Sequence, residues 1–153
     1  MGSVTTAAPT SEKNELPRAI HNFTQTSGHV FKAALIKASP SGTYGATSTN
    51  YSNITGSSDE VSGTGYTAGG FAWTAAQNIT PAASGTVAIW SWTTNPSWTT
   101  ATFTTDGTMF YNTNASNAAV YVGSFGGTQS VSSGTFTLVL PANSAGTAIL
   151  QIS

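Results

Sequence analysis

Short runs rich in valine, isoleucine, threonine and aromatic residues alternate with polar residues from Gly28 onward, and glycine, asparagine, serine and proline separate the runs. A two-residue period of this kind predicts β-strands, because successive side chains of a strand point to opposite faces of its sheet. The first three runs are "HVFKAALIKA", "GGFAWTAAQ" and "TVAIWSW", and the third is apolar on both faces. These runs predict the first three strands.

The second half of the chain continues the same pattern. In "TATFTTDGTMFYN", Asp106 and Gly107 lie between two alternating runs, and an Asp-Gly pair in that position predicts a two-residue hairpin with a type I′ turn. "AAVYVGSFGGTQSV" predicts a strand that turns at Gly126 and Gly127, and "GTFTLVLP" and "GTAILQIS" predict the last two strands. A total of about eight short strands with almost no helix predicts an all-β fold, an antiparallel β-sandwich of the jelly-roll or immunoglobulin-like kind.

The only helical pattern lies near the N-terminus. Leu16, Ile20 and Phe23 recur at the spacing of one helix face, with Asn14 as the N-cap and Pro17 in the first turn, where its missing N–H costs little. The pattern predicts a short helix of about two turns.

The residues before this helix are small and polar without periodicity. They predict an extended, mobile N-terminal arm over residues 1–13, followed by a single β-sandwich domain over residues 14–153. A chain of 153 residues fits one domain with one core.

Charge is scarce and confined. Charged residues make up 6% of the chain, all four cations lie within its first 37 residues, and only Asp59, Glu60 and Asp106 follow them. A nucleic-acid partner is not expected, because binding phosphates needs a band of lysine and arginine. No run approaches the roughly 18 apolar residues of a membrane span, and the N-terminus lacks the apolar run of a signal peptide, so we expect neither membrane insertion nor export by that route. The chain has no cysteine, which excludes disulfides and thiolate metal sites.

The stretch "EVSGTGYTAGG" from Glu60 to Gly70 invites comparison with phosphate-binding loops. Its glycines miss the dinucleotide pattern by one position, the stretch has no lysine, and a predicted strand follows it where a phosphate site needs a helix N-terminus. We therefore interpret the glycines as residues for positive φ and close backbone approach in a long connection from Ser39 to Gly70.

The titratable side chains are poorly placed for catalysis. Asp59 and Glu60 are adjacent, so in an extended segment they point to opposite sides and cannot form an acid/base pair. His21 and His29 lack a third nitrogen or sulfur donor for zinc, and a capping role or a partly buried hydrogen bond is the expected use of each. We expect no catalytic residue, no metal site and no cofactor.

Trp90, Trp92 and Trp98, together with Trp73, are the most suggestive side chains. Tryptophans on a polar β-scaffold can stack on sugar rings, but in a sandwich they more often fill the core or a subunit interface. Packing is the favoured interpretation and sugar binding the alternative.

Several segments carry a family resemblance: "HNFTQTSGHVFKAALIKAS", "YGATSTNYS", "DEVSGTGYTAGG" and "NPSWTTATFTTDGTMFYN". In these the chain resembles a family of small virion proteins of tailed bacteriophages, found among head and tail structural proteins, which includes capsid decoration (cement) proteins. The resemblance covers about residues 12–152, and its most specific parts are Glu60 to Gly70 and the pattern W-x-x-A-x-F-x-x-x-G from Trp98 to Gly107. Pro17 departs from a smoother helix in that family.

The resemblance implies an all-β structural protein without an active site, made in the host cytoplasm and placed on the capsid exterior of the virion. Its implied partners are the major capsid protein, further copies of itself as a dimer or trimer, or both. The alternative is a tail or fibre module that binds host glycans through exposed tryptophans. The residues expected to form an interaction surface are Leu16, Ile20, Phe23, Trp90, Trp92 and Trp98.

Overall fold

The computed structural model describes residues 1–153 and consists mainly of antiparallel sheet with little helix. Its strands are β1 (Ser3–Val4), β2 (Phe31–Lys37), β3 (Thr43–Tyr44), β4 (Phe71–Trp73), β5 (Ala82–Ser84), β6 (Val87–Trp90), β7 (Ser97–Asn112), β8 (Ala118–Thr137) and β9 (Leu150–Ile152). Its helices are α1 (Thr10–Glu15) and α2 (Ser52–Gly56), with 3₁₀ turns at Leu16–Arg18 and Ala75–Gln77. The all-β class expected from the sequence is confirmed. No helix combines the length and the apolar character needed to cross a membrane.

The strands form three sheets. The largest has the order β4-β2-β7-β8, a second has the order β5-β6-β9, and β1 and β3 form a short parallel pair. Strand β2 lies inside the largest sheet, antiparallel to both neighbours, with Phe31 opposite Asn112 and Lys37 opposite Thr105. Its position explains why apolar residues occupy both of its faces.

Three clusters of buried side chains pack against these sheets. The first joins the two larger sheets and consists of Phe23, Phe31, Ala33, Trp73, Trp90, Trp92, Phe110, Val120, Ile149 and Leu150. The second lies on the opposite face of β2 and includes Ala34, Ile36 and Ile54 of α2. The third holds Leu35 against Trp98 and Phe103. Each cluster removes large apolar surfaces from water, which is the main favourable contribution to folding.

The prediction of a hairpin at Asp106 and Gly107 is wrong. Strand β7 continues through both residues, and the chain reverses later, at residues 113–117, where Ser116 and Asn117 have positive φ. Asp106 instead forms a bulge, because it stands opposite the four residues Phe125–Thr128 between two regular stretches of the β7–β8 ladder. Gly107 does not adopt the positive φ of a type I′ turn, and a Cβ there would lie 2.6 Å from Cγ1 of Val4. Close packing against β1 therefore explains this glycine.

The turn predicted at Gly126 and Gly127 is also a bulge rather than the end of a strand. β8 runs from Ala118 to Thr137 without interruption, and Gly126 takes up a φ of 73° inside the bulge. Strands β7 and β8 are thus a single long ribbon with a bulge at Asp106.

The N-terminal helix begins earlier than predicted. α1 ends at Glu15, before Pro17, and Leu16–Arg18 forms a 3₁₀ turn that Ala19 closes with a φ of 54°. A proline beyond the first helical turn removes a backbone hydrogen bond and clashes with the carbonyl four residues earlier, so a helix through Pro17 towards Phe23 is not possible without a break. Leu16, Ile20 and Phe23 therefore do not share a helix face.

Of the segment predicted as a mobile arm, residues 1–9 are extended and lie along the body of the protein, and residues 10–13 belong to α1. Ala7 and Val122 exchange two backbone hydrogen bonds of 2.9 Å, and Thr5 N donates to Tyr44 O over 2.8 Å. Thr10 N donates to Ala46 O over 2.8 Å. Main-chain pairing thus holds the segment in place, as it does in a regular sheet.

Candidate functional site

Asp59 is a fully buried carboxylate at the end of the segment that follows α2. Its oxygens accept hydrogen bonds from Ser41 N at 2.9 Å, Gly42 N at 2.7 Å and the Tyr44 hydroxyl at 2.6 Å, and Lys37 Nζ lies 3.0 Å away. Burial by itself raises the pKa of the Asp59 carboxyl, but these donors outweigh burial and hold the pKa well below its ordinary value. Because these donors occupy the Asp59 carboxylate, it fixes the backbone of Ser41 and Gly42 and is not free to act as a base.

The same contact affects Tyr44. Burial, followed by the hydrogen bond to Asp59, raises the pKa of the Tyr44 hydroxyl to about 12. Tyr44 therefore remains a neutral donor to the carboxylate, which makes this cluster an internal brace.

Glu60 points to the other side of the backbone, as the sequence predicts for adjacent residues of an extended segment. Its carboxylate accepts hydrogen bonds from the hydroxyls of Tyr51 at 2.7 Å and Tyr66 at 2.8 Å and from Gly69 N at 2.6 Å. Burial, followed by the hydrogen bond to Glu60, raises the pKa of the Tyr51 hydroxyl well above its ordinary value. Glu60 thereby closes the loop that runs from Glu60 to Gly70.

That loop is built of turns at its glycines. Gly65, Gly69 and Gly70 have φ values of 78°, 91° and 74°, and strand β4 follows the loop directly. Positive φ is the conformation for which glycine is favoured, as the sequence interpretation expected. The Tyr111 hydroxyl also donates to Gly69 O over 2.9 Å, which ties the loop to β7.

His21 and His29 meet at the side-chain amide of Asn112, and Glu15 contacts the far side of the His21 ring. The Asn112 nitrogen lies 2.9 Å from Nδ1 of each histidine, and Nε2 of His21 lies 2.7 Å from Glu15 Oε2. Asn112 Nδ2 donates to both rings, so Nε2 of His21 carries the proton and donates to Glu15. Burial lowers the pKa of His21, and the hydrogen bond to Glu15 opposes that effect. Hydrogen bonding is the use that the sequence predicted for these histidines.

This cluster lacks the donors that metal binding requires. No group of three or more histidine, cysteine, aspartate or glutamate side chains is arranged to hold a metal ion. Both ring nitrogens of His21 are already engaged, so the ring is also not placed to activate a hydroxyl nucleophile.

The tryptophans are packed inside the molecule. Trp90, Trp92 and Trp98 are 5%, 4% and 7% exposed, and Trp73 is fully buried. Trp73 and Trp92 stack with ring centroids 4.9 Å apart, whereas Trp98 packs in the separate third cluster. The glycan alternative required exposed indoles, whereas all four tryptophans are buried, in agreement with the favoured interpretation that they serve packing.

The expected interaction residues are only partly brought together. Leu16, Phe23 and Trp90 line one open depression of about 430 Å³. Leu16 also borders a second depression, of about 700 Å³, whose lining is Lys13, Leu16, Pro17, Gln151, Ile152 and Ser153. We call these two adjoining depressions the Leu16 groove. Phe23, although buried, contributes to its lining, whereas Ile20 is half-buried outside the lining, and Trp92 and Trp98 lie elsewhere.

Sequence reasoning missed two features of this region. Ile152, 54% exposed on β9, forms one wall of the groove, and no sequence signal joins it to Leu16. Glu12 is a buried carboxylate of α1, and its Oε1 has no hydrogen-bond partner. Burial, with Glu15 nearby, raises the pKa of Glu12 to about 7. Its unusual environment depends on where α1 packs, which the local sequence does not reveal.

The region thus contains braced carboxylates, hydrogen bonds shared by two histidines, and the open Leu16 groove. A scan against models of known families, a search of curated proteins and a search of solved structures each found no match.

Proposed function

We propose that this chain is a structural protein of a tailed-bacteriophage virion, a capsid decoration protein that binds the assembled shell and stabilises it. The resemblance of its sequence motifs to that family gives the proposal its direction. The structural observation that carries it is that the carboxylates of Asp59 and Glu60 accept hydrogen bonds from the backbone and tyrosine hydroxyls of the protein itself. Because these carboxylates are used as braces, the chain is better suited to holding surfaces together than to chemistry.

The stabilising effect follows from mass action. A protein that binds the assembled shell and not its separated subunits shifts the assembly equilibrium by the free energy of its binding. Many copies bound weakly to one particle add their contributions, so tight binding of each copy is not required.

We place the shell contact at the Leu16 groove. Its lining combines the half-buried Leu16 and the exposed Ile152 with a single cation, Lys13. The packing of the two larger sheets on the first core cluster supports a β-sandwich as the scaffold of this surface, and a jelly-roll or immunoglobulin-like connection of its strands is part of the proposal.

The test uses heads of the phage that encodes this chain, prepared without the protein and then incubated with it. The protein should co-sediment with the heads and raise the temperature at which they release DNA. Ile152→Asp should weaken binding about tenfold or more, because a charge is desolvated at an apolar contact.

Val139→Asp is the matched control, because Val139 is another exposed β-branched residue, at 72%, and lies outside the groove. It should bind heads like the wild type. Equal DNA-release temperatures with and without the protein would contradict the stabilising role, and equal losses in both variants would contradict the assignment of the groove.

A further inference from the structure

The outer edge of β8 is covered along one half and open along the other. Ala119 N donates to Thr49 O over 3.0 Å, and Ala7 exchanges two hydrogen bonds with Val122. Ser124 N donates to Thr6 Oγ1 over 3.0 Å. From Phe125 to Thr137 no backbone group bonds to anything outside β7 and β8.

The uncovered part, Gln129–Thr137, is here called the open edge. Its sequence is "QSVSSGTFT", and its exposed residues are Gln129, Ser130, Ser132, Ser133, Thr135 and Thr137. It contains no lysine, glutamate or proline, the residues with which proteins commonly prevent edge pairing. The β7–β8 ladder shifts register twice along the open edge, between the partners Phe136 and Gly134 and between Gly134 and Val131, and Ser133 has a φ of 47°. These irregularities are the protective features that the edge does carry.

We propose that the open edge pairs with the same edge of a second copy of this chain, antiparallel about a two-fold axis. The covered half shows the mode of contact, because the N-terminal segment already pairs antiparallel with β8 at Ala7 and Val122. An edge that pairs with its own copy forms a closed, isologous dimer.

Charge favours a copy of the same chain as the occupant. Residues 107–153 contain no lysine, arginine, aspartate, glutamate or histidine. Two identical edges of this kind approach without like-charge repulsion, and serine and threonine hydroxyls can form cross-strand hydrogen bonds. An edge built for a charged partner would carry charges complementary to it, and this edge has none.

The inference concerns contact between copies of the chain and does not depend on shell binding. Its first test is the mass of the purified protein in solution, measured by light scattering or sedimentation at about 100 µM, a concentration that populates a dimer of micromolar Kd. We expect twice the mass of the 15.6 kDa chain. A single-chain mass at this concentration would overturn the proposal.

Charge variants test the location of the contact. Ser130→Lys/Thr135→Lys and Ser130→Glu/Thr135→Glu should each be monomeric, because equal charges meet across the axis, and an equimolar mixture of the two should dimerise again. Ala82→Lys on the exposed edge strand β5 is the control and should remain dimeric. If each double variant dimerises in the absence of the other, and each has a wild-type circular dichroism spectrum, the proposal is overturned.

Single cysteines give an independent readout that does not rely on charge, because the native chain has no cysteine. A cysteine scan along Gln129–Thr137 under mild oxidation should give disulfide dimers at the positions nearest the axis, since a disulfide needs Cα atoms about 4.4–6.8 Å apart. Ala82→Cys, the control on β5, should give few disulfide dimers. Dimers no more frequent along the scan than at residue 82 would contradict pairing at the open edge.

Discussion

Asp59 and Glu60 are neighbours in sequence and braces for different parts of the structure. Asp59 holds the turn at Ser41 and Gly42, and Glu60 holds the loop that ends at Gly70. A buried carboxylate is stabilising only when its lone pairs are occupied, and both side chains meet that condition. Their role is therefore conformational.

Asp59→Asn is predicted to lower the free energy of unfolding by about 2 to 4 kcal/mol at neutral pH, because the new amide group presents donors to the donors of the brace. Urea denaturation measures the change. Asp106→Asn, at a half-exposed carboxylate in the β7 bulge, is the control and should cost less than about 1 kcal/mol.

The pH dependence has a defined sign. Because the pKa of Asp59 is lowered in the folded state, its contribution is fully present above its ordinary value of 3.8 and is lost as pH falls below that value. Wild type should lose stability below about pH 4 more steeply than Asp59→Asn. Parallel acid-denaturation curves for the two proteins would contradict the brace.

Glu12 should behave in the opposite way. Its pKa is raised in the folded state to about 7, so its contribution is fully present below its ordinary value of 4.5 and is lost as pH rises towards and through 7. We predict that Glu12→Gln unfolds at a higher temperature than wild type at pH 8, by an amount equivalent to about 1 to 3 kcal/mol, and that the difference shrinks or reverses at pH 5.

The pKa of His21 is lowered by burial, but His21 is present in both proteins, so the difference between them reports Glu12. A difference in melting temperature that does not change between pH 5 and pH 8 would contradict the raised pKa of Glu12.

At the scale of elements, the β7–β8 ribbon shows how one local signal can have two structural meanings. Asp106 and Gly107 satisfy the sequence rule for a tight hairpin, yet they form a bulge within β7. Asp106 accepts a hydrogen bond from Ser39 N at 2.8 Å and one from the Thr128 hydroxyl, which fixes the bulge from both sides. Pairing of β7 with β2 and β8 on either side outweighs the local preference for a turn.

Gly107→Ala tests this correction. The added methyl group has no room beside Val4 and the carbonyl of Gly123, so we expect a loss of about 1 to 3 kcal/mol in unfolding free energy. Amide hydrogen exchange should also show weaker protection at Thr5 and Ala7, because β1 is displaced. Gly127→Ala, where no atom lies within 4 Å of the added carbon, is the control and should change stability by less than about 0.5 kcal/mol.

At the scale of the whole molecule, charge is distributed unevenly. The cations and both histidines lie in the first 37 residues, and the last charged residue of the chain is Asp106. The two proposed contacts lie in different regions, the Leu16 groove beside α1 and the open edge along the neutral half of β8. Ile152→Asp should therefore alter shell binding and leave the solution mass unchanged, while the Ser130 and Thr135 variants should alter the solution mass first.

The all-β class and three of the strands could be predicted from the sequence alone. Alternating apolar residues located β2, β4 and β6, because a strand with a buried face must repeat every two residues. Adjacency in the chain predicted the divergence of Asp59 and Glu60, and glycine content predicted the positive φ values of Gly65 and Gly69. All of these follow from local geometry.

The tertiary structure alone decided where the chain turns and what it buries. An Asp-Gly pair is compatible with a bulge as well as with a hairpin, and the pairing of β7 with its neighbours decided that Asp106 lies in a bulge. The burial of Trp90 and Trp92, the lone oxygen of Glu12 and the meeting of Leu16 with Ile152 depend on contacts between residues far apart in sequence. Such contacts are set by the packing of whole sheets, for which a local pattern carries no signal.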